Sequence, residues 1–99
     1  MELRNIIAKD RDAIVASLVD SVRFRSLKTS SDGPGAPFGR GIADALEHVL
    51  ALAQSMGFQT RNVDGYAGHA EYGTGQDIVA VLVHLDVVPA GGEWTFAPY

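Results

Sequence analysis

The chain has no cysteine, and that absence alone removes disulfide scaffolds, thiolate zinc sites and cysteine nucleophiles. It also lacks any apolar run approaching the roughly 18 residues that a membrane-spanning helix needs. Bases are scarce. Eight lysines and arginines stand against twelve acids, for a net charge of −4, which gives no basic face to neutralise phosphates and argues against a nucleic-acid partner. The first residues, Met1-Glu2-Leu3-Arg4-Asn5-Ile6-Ile7, carry mixed charge and no signal-peptide core. With no cysteine, this fits a cytoplasmic protein. A polar tail is missing too: the chain stops on Trp94-Thr95-Phe96-Ala97-Pro98-Tyr99, where a natural end is usually polar, and reads as cut short before its fold is complete.

What is present is ordinary globular material. Ninety-nine residues allow at most one small domain, and a hydrophobic share of 46% with 20% charged residues argues against wholesale disorder. Leu3, Ile6, Ile7, Ile14, Leu18 and Val22 recur at helical steps and predict a first helix from Leu3 to Ser21. Residues 22–41 read as a loop, because the stretch from Ser30 to Gly41 holds four glycines and two prolines. Ile42, Leu46, Val49, Leu50, Ala53 and Met56 form the stripe of a second helix, with Gly57 placed for a left-handed cap. Phe58 to Val63 and Tyr66 to Tyr72, joined by Asp64-Gly65, predict a hairpin. Ile78-Val79-Ala80-Val81-Leu82-Val83 is a continuous, β-branched apolar run, the pattern of a parallel strand buried on both faces. The order of elements predicts an α/β layered fold: two helices, a hairpin, then a buried strand.

His84 and Asp86 follow that run. Residues two apart on a strand share a face, so both side chains should emerge together at the strand's carboxyl end, where open α/β sheets bind ligands. Imidazole suits zinc, manganese or cobalt, and a ligating histidine needs its second ring nitrogen held by an acceptor such as Asp86. The pattern leaves a second reading open, a hydrogen-bonded strand cap with no ligand. One histidine is also short of the roughly three protein ligands of a catalytic zinc.

The other polar residues carry less. His69 and Glu71 read as a solvated strand face, and His48 as a surface pair with Asp44 one helical turn away. Arg23, Arg25 and Lys28 form too small a basic cluster for nucleic acid. Gly33, Gly35, Gly39 and Gly41 fail as a phosphate loop, because no strand precedes them and no Gly-Lys-Ser/Thr follows. Ser30 and Ser31 lack a nucleophile elbow. Trp94, Phe96 and Tyr99 read as packing residues without their partners.

The segment His84-Leu85-Asp86-Val87-Val88-Pro89-Ala90-Gly91 resembles the first metal-binding motif of the M20 metallopeptidases, and most of all that of the PepV/Sapep-type dipeptidases. Pro37-Phe38-Gly39, Ala45-Leu46-Glu47 to Gly57-Phe58, the stretch Tyr66 to Gly73 and Gly92-Glu93-Trp94-Thr95 resemble the same enzymes in order and spacing, so the likeness covers nearly all 99 residues. It implies the N-terminal portion, residues 1–99, of a Zn-peptidase-like (phosphorylase/hydrolase-like) three-layer sandwich whose lid domain is absent. It implies hydrolysis of dipeptides by two divalent ions, zinc foremost and manganese or cobalt also fitting. Such ions, about 3.5–4 Å apart, acidify a water and polarise the scissile carbonyl. It makes His84 a metal ligand and Asp86 an active-site residue that orients a ligating histidine. The family's glutamate base, its ligating glutamate and its bridging aspartate have no counterpart, since Glu93 is the only acid after Asp86 and matches none of them.

The piece alone is therefore expected to be inactive, to bind no metal tightly, and to be prone to self-association. Two other readings stand beside the dipeptidase: a non-catalytic α/β module that binds a partner through its exposed edge, and a truncated pseudoenzyme.

Overall fold

The structure, a computed structural model, describes residues 2–99. Its elements run α1 (Leu3–Lys9), α2 (Arg11–Val22), α3 (Arg40–Ser55), β1 (Gln59–Val63) and β2 (Ala67–Glu71). A small α/β arrangement is thus present, of three helices and a two-stranded antiparallel hairpin.

The single first helix expected from Leu3 to Ser21 is instead two. Asp10 leaves helical geometry (φ −96°, ψ 7°), its N–H donating to the carbonyls of Ile6 and Ile7. The run Lys9-Asp10-Arg11-Asp12 has no apolar residue to hold a turn against a core, and aspartate favours helix ends over interiors. Neither α1 nor α2 buries a residue.

The expected second helix is present as α3. Its first N–H group, on Arg40, donates to Asp32 Oδ2 at 2.7 Å, a cap reaching back from the loop where Gly39 has no side chain to offer. Gly57 closes the helix at φ 94°, and the Phe58 N–H reaches the Ala53 carbonyl at 3.1 Å, as left-handed helix caps do.

The hairpin pairs Gln59 with Glu71 and Arg61 with His69. Its turn puts Asp64 and Gly65 at φ 55° and 79°, which an Asp-Gly pair tolerates. Gly68 lies against α3. A Cβ there would sit 2.9 Å from Leu46 Cδ1 and from Leu50 Cδ1, so the missing side chain is what lets helix and sheet approach. Ala36, Ala43, Ala45 and Leu46 form the buried core.

The run 78–83 overturns its expectation. It is assigned to no strand, and Ile78, Val79, Val81, Leu82 and Val83 are 78–95% exposed. A strand needs a ladder along its edges, and among the described residues none offers one to this run. Among the described residues, the one further pairing is an isolated parallel bridge between Leu27 and Val87. The radius of gyration, 15.8 Å, exceeds the roughly 13 Å expected of a closed domain this long, in keeping with an uncovered layer. The layered sandwich expected from the resemblance is accordingly not formed by these residues alone.

Candidate active site

Residues 84–87 leave the exposed run and return to the body of the molecule beside the loop after α2. The Val87 N–H donates to the Ser26 carbonyl (3.1 Å), and the Ser26 hydroxyl donates to the Leu85 carbonyl (2.7 Å). Asp86 lies between these anchors and His84 just before them, and their side chains come together. His84 Nδ1 lies 3.2 Å from Asp86 Oδ1 and 3.0 Å from the Asp86 carbonyl oxygen. Both neighbours are acceptors, so the arrangement favours the tautomer with its proton on Nδ1. Nε2 is then left with a lone pair and, among the described residues, no hydrogen-bond partner. The side chains are open to solvent, 85% for His84 and 60% for Asp86.

The pair borders an open groove of about 1110 Å³ between α3, the hairpin and the run 78–83. Apolar residues of α3, Leu46 and Leu50 among them, line one part of it, and His69 and Glu71 of β2 line another. Alternation from Gly68, which faces α3, sends His69 and Glu71 to the sheet's outer face. There His69 Nδ1 stands 3.7 Å from Glu71 Oε1, both exposed, as expected for a solvated face. Among the described residues no three histidines, cysteines or acids gather into a cluster able to hold a metal.

His48 departs from its expectation. Asp44 pairs instead with Arg40, at 3.8 Å one helical turn back. His48 packs on Phe24, ring centroids 4.8 Å apart, and its Nε2 is buried without a hydrogen-bond partner. The tilted packing of the two rings, 37° apart, buries ring surface that a solvent-facing pair with Asp44 would not. Near the C-terminus the Trp94 N–H donates to the Gly91 carbonyl at 2.9 Å, and Arg25 lies 5.7 Å above the Tyr99 ring. Sequence reasoning missed Ser26. A lone serine in a loop carries no motif, and only its partners Leu85 and Val87, far along the chain, mark it.

No helix among the described residues is long and apolar enough to cross a membrane. No protein-family model matches the chain. It is 39% identical over 94 residues to Putative dipeptidase YtjP of Bacillus subtilis, a match covering 94% of this chain and 20% of that protein. A protein of Staphylococcus epidermidis described as a putative dipeptidase is 35% identical over 99 residues, the whole of this chain and 20% of its own length. A third, from Staphylococcus haemolyticus and described in the same words, is 43% identical over 81 residues, or 82% of this chain and 16% of that protein. The chain therefore spans about one fifth of the length of these curated relatives, and what it resembles is one portion of proteins named as putative dipeptidases.

Proposed function

We propose that this chain contributes one wall of the active site of a metal-dependent dipeptidase of the M20 type, acting on small peptides in the cytoplasm. The observation that carries the reading is the His84–Asp86 pair. One ring nitrogen faces two oxygen acceptors and the other is free, the arrangement a metal-ligating histidine requires. The similarity to proteins named as putative dipeptidases supports the reaction class.

In this reading His84 Nε2 would hold one of two divalent ions, zinc foremost, and Asp86 fixes the ring's orientation and tautomer. Such a pair of ions, when bound, supplies a polarised carbonyl and a water acidic enough to ionise near neutral pH. The donor set fits one ligand with its orienting partner and no more, since three protein ligands are not gathered among the described residues. The remaining ligands and the general base belong, in this proposal, to the part of the relatives that the match leaves uncovered. The 99 residues alone are thus proposed to hydrolyse nothing.

The test is a chimera in which this chain replaces the matching first fifth of the Bacillus subtilis relative. Hydrolysis of dipeptides that depends on added zinc or manganese is expected. His84→Ala should lower kcat/KM by at least about a hundredfold, and Asp86→Asn by about ten- to a hundredfold. An active chimera indifferent to His84→Ala would refute the assignment. A second reading, a module that self-associates or binds a partner, draws on the exposure of residues 78–83. An inactive but folded chimera would favour it, or the pseudoenzyme.

A further inference from the structure

Ser26 is the one buried polar residue of the described chain, 3% exposed, and its two hydrogen bonds bracket Asp86. Its hydroxyl holds the peptide group before Asp86 through the Leu85 carbonyl, and its own carbonyl holds the peptide group after it through the Val87 N–H. Among the described residues this hydroxyl makes the one side-chain hydrogen bond between residues 72–99 and the rest of the molecule, beside the parallel backbone bridge of Leu27 with Val87. The strand expected to hold the pair is not formed, so the pair's placement rests on this clamp.

Ser26 is itself firmly seated. The first turn of α3 presses on the same backbone: a Cβ on Gly41 would overlap the Arg25 carbonyl oxygen and lie 3.7 Å from Ser26 Cα. The chain of support runs from α3 through Arg25 and Ser26 to Leu85 and Val87, and so to Asp86 and His84.

We propose that Ser26 is a positioning residue for the His84–Asp86 pair. By fixing both peptide groups that flank Asp86, it sets the carboxylate and the carbonyl of that residue against His84 Nδ1, and so holds the Nδ1–H tautomer that leaves Nε2 free. The clamp acts through Asp86 and does not itself touch a ligand. The inference deepens the proposed function and rests on its reading of the pair.

The 99-residue chain suffices for the test, because the readout is the ring and not turnover. Nitrogen-15 NMR of the imidazoles, with the rings neutral, reports which nitrogen of each histidine carries the proton. In the unsubstituted chain His84 is expected to be protonated mainly on Nδ1. In Ser26→Ala the ratio of Nδ1–H to Nε2–H should fall by about fivefold, the scale of one net hydrogen bond. His69, on β2, should not change, and Ser26→Thr, which keeps the hydroxyl, should restore the ratio. Simple loss of stability would lower the melting temperature without altering the tautomer of the molecules still folded. If Ser26→Ala fails to fold, Ser26→Cys keeps the shape with a much weaker donor and should show the same fall. Two failures are separable. A His84 that carries its proton on Nε2 in the unsubstituted chain overturns the reading of the pair. A His84 protonated on Nδ1 whose ratio is unmoved by the alanine or cysteine substitution overturns the role of Ser26 alone.

Discussion

Replacing Gly41 by alanine sets two rules of protein stability against each other, and the structure decides between them. Gly41 is the second residue of α3. Propensity alone predicts a gain, since alanine in a helix is favoured over glycine by up to about 1 kcal/mol. Packing predicts a loss. The added Cβ would overlap the Arg25 carbonyl oxygen and come 3.1 Å from its carbon. Those are backbone atoms with no rotamer to escape into, and the Ser26 backbone beyond them is buried. Overpacking of this kind costs ~1–3 kcal/mol, and a collision with backbone lies toward the upper end. The net expectation is destabilisation by about 1–2 kcal/mol. For a chain of this size each kcal/mol is roughly 4–8 °C, so the melting temperature should fall by at least about 4 °C. Urea unfolding followed by circular dichroism should show a lower midpoint at unchanged slope. Glu47→Ala, at an exposed position of the same helix, is the control and should stay within about 0.5 kcal/mol. A Gly41→Ala chain as stable as the parent, or more so, would refute the close approach of α3 to the 25–26 backbone, and with it the support drawn for Ser26.

Asp32→Ala removes the carboxylate that accepts the first N–H of α3, and should cost about 0.5–2 kcal/mol in the same urea assay; no loss would mean that the cap is not formed in solution. Val79→Lys with Val81→Lys places charge on side chains that are already almost wholly exposed. Stability should change by less than about 0.5 kcal/mol while self-association, read by sedimentation, declines; a large destabilisation would show that the run is buried in solution. Calorimetry with zinc should find no sub-micromolar site on the 99-residue chain, because no three candidate ligands gather among the described residues, and a tight stoichiometric site lost in His84→Ala would show that the chain gathers its own coordination sphere.

The parts of this fold that sequence foretells are those whose causes are local. The apolar stripe of α3 and its stop at Gly57 depend on neighbours a few residues away, as does the Asp64-Gly65 turn, and all three stand where periodicity and turn chemistry place them. The break at Asp10, the stacking of His48 on Phe24 and the clamp at Ser26 depend on which distant surfaces are present or missing, and no spacing rule encodes that. The run 78–83 shows the difference most directly. Its composition describes the sheet it is suited to, whereas its conformation here reflects the partners it lacks. The closeness of His84 and Asp86 does not depend on that strand. His84 and Asp86 meet at 3.2 Å without a strand around them, and the backbone between them is held by a serine 59 residues upstream of Leu85.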